Sequence, residues 1–171
     1  MAKRRLSKDE MFMEQARVYA RRSACLQFQV GVVFIKDDVV VSGGYNGPPR
    51  GEPNCDEVGC AKLDKNGNKL PAGSGQCRGA HAEMNAIVNA AAREGGLKKT
   101  IVYSTISPCY DCAKHLAGLP IVEFVYEKEY KEKEGKKAMP IEIAITKMVK
   151  LIVCFLVGHF TCVSSTFVPL K

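Results

Sequence analysis

Residues 81–126 read HAEMNAIVNAAAREGGLKKTIVYSTISPCYDCAKHLAGLPIVEFVY, and this stretch decides the fold. Its first part, 82–94, is rich in Ala, Glu and Asn and predicts a helix. Two β-branched runs, 100–105 and 121–126, predict buried strands, and 109–119 between them predicts a second helix. Because strands and helices alternate, we expect parallel strands with helices packed on the sheet.

The upstream residues add a helix and a hairpin. Residues 7–24 predict the first helix, because Ser7 and Glu10 have the spacing of a capping box. VGVVFI at 30–35 and VVVSGG at 39–44 flank a short acidic turn, which indicates an antiparallel hairpin. The sequence therefore predicts the α/β class, with a mixed β-sheet, a leading antiparallel hairpin and helices on both faces.

Composition limits the kind of protein. The chain has 171 residues, 46% hydrophobic and 25% charged, which suits a single domain, 1–171, and excludes collagen, coiled coil and bulk disorder. The net charge of +7 suits a polyanionic partner, although an ordinary soluble surface is the commoner explanation. A polar start, MAKRRLSKDE, and the absence of an 18-residue uncharged apolar run predict a cytoplasmic protein with no membrane partner. Eight cysteines then indicate metal ligands or buried thiols before disulfides.

Three segments stand apart within this domain. Residues 1–6 are a basic extension, and 52–79 lacks periodicity, for which a metal clip would be one reason. The segment 131–171 begins with a charged break and continues as a divergent apolar stretch. Strands at 141–145 and 151–157 would fit there. We expect its Cys154, His159 and Cys162 to be buried core or an oligomer contact, because they lack ligand spacing.

Four residues carry the chemistry: His81, Glu83, Cys109 and Cys112. Each pair opens a predicted helix, and two strand-to-helix junctions place both helix N-termini at one sheet edge. One histidine and two thiolates would bind a catalytic Zn²⁺ with its fourth position open to water, leaving Glu83 as the proton carrier. The alternatives are a structural zinc site or a chance coincidence, but a structural site normally has four protein ligands.

This H-x-E…P-C-x-x-C pattern is that of the zinc nucleobase deaminases. Around it, the sequence resembles the deoxycytidylate (dCMP) deaminase family from about residue 25 to 130. The matching segments are GYNGPPRG at 44–51, NCD at 54–56, HAEMNAI at 81–87, SPCYDC at 107–112, and Tyr126 and Tyr130. The resemblance implies a three-layer cytidine-deaminase-like fold and hydrolysis of dCMP to dUMP and ammonia, which feeds thymidylate synthesis.

The resemblance also implies roles for residues around the metal. Asn46 would hold the sugar 3′-hydroxyl, and the backbone at Ala82 and Ser107 would recognise the pyrimidine edge. Tyr130 would line the substrate pocket. For the 5′-phosphate the candidates are Arg93, Arg50 and Arg78, although Arg93 fits equally well as a solvated charge at a helix end.

Regulation and a second metal follow from the same resemblance. In this family dCTP with Mg²⁺ activates, dTTP inhibits, and the enzyme is commonly a homohexamer. The residues implied for that nucleotide site are Gly44, Tyr45, Asn46, Gly47 and Arg50. Relatives with a structural zinc imply ligands at Cys25 and Cys55, which Cys60 and Cys77 would complete, with buried hydrophobic thiols as the alternative.

Two other functions stay open from the sequence. One is deamination of another cytosine or adenine substrate, free or within nucleic acid. No aromatic stacking series accompanies the basic residues, which argues against a nucleic-acid partner. The other is a zinc-stabilised nucleic-acid-binding protein without catalysis, in which Glu83 would have no role.

Overall fold

A five-stranded sheet in the order β2-β1-β3-β4-β5 forms the centre of the protein. The computed structural model describes residues 4–71, 76–93 and 96–130, and the backbone of 144–147. The elements in chain order are α1 (Lys8–Ala20), β1 (Gly31–Lys36), β2 (Val39–Tyr45), α2 (Cys55–Val58), α3 (Ala82–Ala91), β3 (Ile101–Ile106), α4 (Tyr110–Ala117), β4 (Glu123–Lys128) and β5 (Ala144–Lys147).

The sheet is mixed, as the sequence predicts. β1 pairs antiparallel with both β2 and β3, whereas β3, β4 and β5 pair in parallel. β2 and β3 therefore run in the same direction, but β1 lies between them. The expected parallel pairing is thus confirmed for β3 with β4. The connection through α3 joins β2 to β3 and crosses over β1, which lies between them.

The leading hairpin is closed by a two-residue turn. Lys36 pairs with Val39, and the turn residues Asp37 and Asp38 have φ angles of 50° and 62°. Two consecutive positive φ angles match the twist of a tight hairpin, and Asp tolerates this conformation better than most residues. The acidic turn inferred from the sequence is confirmed.

Helices cover both faces of the sheet and give three layers. On one face, Val32 and Phe34 of β1 pack in a cluster with residues of α3 and α4. On the other face, Val33 and Ile35 pack against α1 through residues such as Met13. Because side chains of a strand alternate between faces, β1 is buried on both sides.

The first helix begins where the capping box predicts and ends earlier than predicted. Ser7 Oγ accepts from Glu10 N at 3.1 Å, and the Glu10 carboxylate accepts from Ser7 N at 2.9 Å. The helix ends at Ala20 rather than at residue 24. Ser23 Oγ donates to Asn46 O at 2.7 Å and accepts from Cys25 N, so a tertiary contact replaces the last helical turn.

The remaining boundaries agree with the prediction to within three residues, and the starts of β2 and α3 coincide with it. Within 52–79 the sequence analysis missed the four-residue helix α2, which Asn54 and Glu57 cap reciprocally. It is too short for periodicity to reveal. The rest of that loop is irregular where described, apart from the Leu63–Lys69 bridge around the DKNGN turn.

β5 adds a parallel edge strand to β4. It overlaps the strand predicted at 141–145, although residues 141–143 lie outside the described part. The strand predicted at 151–157 and the residues Cys154, His159 and Cys162 also lie outside it. Among the described helices, none combines the length and apolarity that crossing a bilayer requires.

Candidate active site

The two metal-binding motifs lie at the N-termini of α3 and α4. His81 is the N-cap of α3 and Cys109 is the N-cap of α4, both with extended backbone angles. Neither side chain forms the hydrogen bond that a capping residue commonly makes to its own helix. Both side chains can therefore turn towards each other, and Cys112 on the first turn of α4 completes the group.

The three side chains converge on one point. The Nδ1 atom of His81 lies 3.3 Å from the sulfurs of both Cys109 and Cys112. All three ligand atoms lie within 4.8 Å of one another, and no other group of three such ligands forms in the described residues. Tetrahedral zinc with ordinary bond lengths would separate these atoms by about 3.5–3.8 Å. The donor set and its spacing therefore fit a zinc ion with small adjustments.

The electrostatics of this group favour a thiolate. The hydrogen bond from Cys112, supported by His81, lowers the pKa of Cys109 to about 3. The same hydrogen bond, together with burial, raises the pKa of Cys112. The pKa of His81 is also raised, chiefly by its hydrogen bond with Cys109. Without metal, the three ligands thus share protons through hydrogen bonds, and a bound cation would displace those protons.

Glu83 is a buried acid beside this group and is not one of its ligands. Its residue is 4% exposed, on the first turn of α3. Burial raises the pKa of its carboxyl group, and the carboxyl interacts with the Cys112 thiol. A carboxyl that is desolvated and next to a metal site can accept and return a proton near neutral pH.

The loop that follows β2 is tied to the segment before His81. Gly47 N donates to Ala80 O at 3.1 Å, and Ala80 N donates to Gly47 O at 2.9 Å. Within the loop, the Asn46 amide accepts from Val30 N and donates to Phe28 O, both at 2.8 Å. One amide hydrogen and one lone pair of Asn46 remain for a ligand. Its predicted contact with the sugar stays a prediction.

Asn85 fastens this loop to α3, a role that the sequence analysis missed. Its Nδ2 donates to Tyr45 O at 2.8 Å and approaches Gly47 O at 3.4 Å. One helical turn later, Asn89 Nδ2 donates to Gly43 O at 2.9 Å. Two amides spaced i, i+4 on a helix share one face, and this spacing was the available signal.

The other predicted substrate contacts lie near the N-termini of α3 and α4. Tyr130 N donates to Ser107 Oγ at 2.8 Å, and the Tyr130 residue is 40% exposed. Ala82 is fully buried at the start of α3. Ser107 follows the end of β3, so Ser107 and Ala82 lie close to the helix N-termini that carry the metal ligands.

The residues predicted for a regulatory nucleotide have structural contacts here. Gly44 is buried, and a Cβ on it would lie 2.5 Å from Ala86 N, so this glycine allows α3 to approach β2. Arg50 is exposed, with Nη2 3.5 Å from Asn89 Oδ1. Arg93 is exposed beyond the end of α3, a helix about 15 Å long that starts at the metal group. Their roles in nucleotide binding stay predictions.

The cysteines predicted to bind a second zinc do not form a compact ligand group in the described structure. They are Cys25, Cys55, Cys60 and Cys77. All four are free thiols, from the buried Cys55 to the exposed Cys77. The Cys60 sulfur accepts from Gln27 Nε2 at 3.3 Å. A second zinc on these residues remains a prediction from the sequence.

The three-layer fold thus brings one histidine, two cysteines and a buried glutamate together at paired helix N-termini, a set of side chains that could hold zinc with an acid beside it. The family model described as the cytidine and deoxycytidylate deaminase zinc-binding region matches residues 6–128. The chain belongs to this family.

Named relatives agree with the family. The chain is 37% identical over 129 residues to the deoxycytidylate deaminase of Schizosaccharomyces pombe, covering 74% of this chain and 38% of that protein. It is 34% identical over 131 residues to that of Saccharomyces cerevisiae, covering 76% and 40%. The chain thus spans well under half the length of these two yeast proteins.

A solved structure resembles the whole arrangement. The dCMP deaminase of the cyanophage S-TIM5, crystallised with dCMP and dUMP, superposes with a TM-score of 0.68 at 26% identity. The match covers 85% of this chain and 100% of that chain. The predicted cytidine-deaminase-like fold is confirmed.

Proposed function

We propose that this protein hydrolyses dCMP to dUMP and ammonia. The observation that carries the proposal is the buried Glu83 carboxyl beside the His81–Cys109–Cys112 group, outside the ligand set. The names of the yeast relatives and the dCMP and dUMP in the cyanophage complex support this substrate.

The chemistry follows from these four side chains. His81, Cys109 and Cys112 would hold zinc, which lowers the pKa of a coordinated water to about 7. Glu83 would accept one proton as the water oxygen bonds to C4 of the pyrimidine, and would pass it to the ring nitrogen N3. The proton left on that oxygen would then pass through Glu83 to the amino group, so that C4=O forms, the C4–N bond breaks and ammonia leaves. Water supplies the oxygen and both hydrogens, and no oxidant or reductant is needed.

Other residues of this chain would position the base. The backbone at Ala82 and Ser107, near the helix N-termini, would contact the pyrimidine edge, and Asn46 would use its spare donor and acceptor on the sugar. Tyr130, tied to Ser107 through its own N–H, would cover the rim. Burial of the base would exclude bulk water from Glu83.

Regulation forms the finer part of the proposal. We infer a homohexamer that dCTP with Mg²⁺ activates and dTTP inhibits, in the cytoplasm, with a second zinc on the loop cysteines. Sigmoidal dCMP kinetics that become hyperbolic with dCTP–Mg²⁺ would support the coupling between two sites. Hyperbolic kinetics unaffected by either nucleotide would contradict it.

The decisive experiment compares zinc-loaded wild type with Glu83→Gln. We expect ammonia release from dCMP by the wild type and a loss of about 10²–10⁴-fold in the variant, since a general acid–base group contributes that much. Zinc content per chain should not change. Glu14→Gln, on the exposed face of α1, is the matched control and should retain activity.

The substrate panel contains dCMP, deoxycytidine, dCTP, single-stranded DNA and transfer RNA. Preference for dCMP supports the proposal, and activity confined to another member would replace it. A Glu83→Gln protein as active as wild type would overturn the assigned proton carrier.

A further inference from the structure

The sequence contains two Asn-Gly pairs, at 46–47 and at 66–67. An asparagine that precedes a glycine is chemically labile, because glycine has no Cβ to keep its nitrogen away from the side-chain amide carbon of the asparagine. The first pair lies in the loop after β2, and the second lies in the turn at 64–68. The same reacting groups therefore occur in two different surroundings.

Hydrogen bonds hold every reacting group of the first pair. Asn46 Oδ1 accepts from Val30 N, and Asn46 Nδ2 donates to Phe28 O, both at 2.8 Å. Gly47 is buried, and its N–H donates to Ala80 O at 3.1 Å. The amide carbon of Asn46 cannot turn towards the Gly47 nitrogen unless these three hydrogen bonds break.

The second pair is surrounded by solvent. Asn66 and Gly67 are both exposed, and a Cβ built on Gly67 would meet no atom within 4 Å. The backbone N–H of Asn66 donates to Asp64 Oδ1, but its side chain forms no hydrogen bond within the described residues. Gly67 N donates to Asp64 O at 3.0 Å and closes a four-residue turn. Only this last hydrogen bond has to break before the Gly67 nitrogen can react.

We propose that Asn66 is a site of spontaneous deamidation and isomerisation to isoaspartate. The Gly67 nitrogen loses its proton and bonds to Cγ of Asn66, while Nδ2 takes up a proton and leaves as ammonia. Water then opens the resulting five-membered imide at either carbonyl, which gives aspartate or isoaspartate. The sum is an amide and water converted to a carboxylic acid and ammonia, with no oxidant or reductant. This modification is separate from the proposed function and needs no metal.

The product changes the turn in two ways. A carboxylate replaces a neutral amide beside Asp64, whose carboxylate already accepts from the backbone of residue 66. Isoaspartate also adds its own Cβ to the main chain between residues 66 and 67. Leu63 and Lys69 pair across this turn, so the longer chain shifts their register. The conversion therefore loosens the turn at 64–68.

The test maps isoaspartate in the zinc-loaded protein after prolonged incubation in mildly alkaline buffer. Peptide mass spectrometry, with enzymatic labelling of isoaspartate, measures the conversion of Asn46 and Asn66 in one sample. Each hydrogen bond corresponds to a factor of about 2 to 10, and the Asn46 pair must break two more of them. We therefore expect Asn66 to convert about 4- to 100-fold faster than Asn46. Asn66→Gln should lose the conversion at this position, because the longer side chain cannot form the five-membered ring.

The same measurement in urea separates the fold from the local sequence. Once the hydrogen bonds of the fold are lost, Asn46 should convert at a rate comparable to that of Asn66. A difference between the two sites that persists in urea would overturn the proposal, because neighbouring residues and not the structure would then cause it. Equal conversion of both sites in the folded protein, or no isoaspartate at Asn66, would also overturn it.

Discussion

The side-chain amide of Asn85 donates a 2.8 Å hydrogen bond to the backbone carbonyl of Tyr45. This bond joins the helix that begins at His81 to the loop that contains Asn46. Asn46 in turn holds the backbone of Phe28 and Val30, so the two amides together connect the metal helix with the loop after β2 and with the segment before β1. The position of the loop that contains Asn46 is therefore coupled to the position of α3 through Asn85.

Replacing Asn85 with Ala should lower both stability and activity. The Tyr45 carbonyl would lose its partner, at a cost of about 1–3 kcal/mol in the free energy of unfolding. A displaced Asn46 should reduce kcat/KM for dCMP by roughly tenfold. Asn89→Ala removes a comparable bond to Gly43 that lies further from the loop, so it should cost stability alone. Equal kinetic effects of the two variants would contradict the coupling.

Gly44→Ala should destabilise the protein through steric overlap. The added Cβ would meet Ala82 O and Ala86 N at 2.5 Å, and both are backbone atoms of a packed helix. We expect a loss of about 1–3 kcal/mol in denaturant unfolding. Gly96→Ala, where a Cβ meets nothing within 4 Å, is the control and should change stability by less than about 0.5 kcal/mol. An unaffected Gly44→Ala protein would show that α3 can move away from β2.

The ion pair between Arg17 and Glu127 should stabilise the contact of α1 with β4. Arg17 donates from Nε at 3.1 Å and from Nη2 at 2.9 Å to the two carboxylate oxygens, and both side chains are less than one quarter exposed. Glu127→Gln should therefore cost about 1–2 kcal/mol in urea unfolding. Lys8→Gln breaks the exposed Lys8–Asp38 pair and should have no measurable effect. Equal effects would mean that burial does not strengthen the Arg17 pair.

Much of this fold follows from local signals in the sequence. The capping box at Ser7, the acidic hairpin turn and the alternation from 82 to 126 each specify structure through neighbouring residues, and each is confirmed. The metal group can also be predicted from the sequence, because two helix N-termini at one sheet edge bring His81 to Cys109 and Cys112. Secondary-structure periodicity and ligand spacing suffice for these features.

Features set by tertiary contacts escaped prediction. Helix α1 ends at Ala20 because Ser23 binds the carbonyl of Asn46, which is 23 residues away. The antiparallel pairing of β1 with β3 depends on which strand fills the position beside β3, and strand patterns alone do not order a sheet. Asn85 looked like one more residue of a polar helix, and only its contact with Tyr45 reveals its role.

Zinc affinity should fall as the pH falls, because any ligand that still holds a proton must lose it to bind. The pKa of Cys112 is raised, so we expect release of about one proton per zinc at pH 8. His81 has a pKa raised above 6.5 by Cys109, so a second proton should be released below that raised value. In the metal-free protein, folding stability changes with pH in the opposite direction to zinc affinity. The stabilising His81–Cys109 interaction is complete below pH 6.5 and is lost as the pH rises through the raised pKa of His81. Chelator competition from pH 6 to 8 measures the slope of zinc affinity against pH. Zinc binding independent of pH, or retained in Cys112→Ser, would contradict this ligand set.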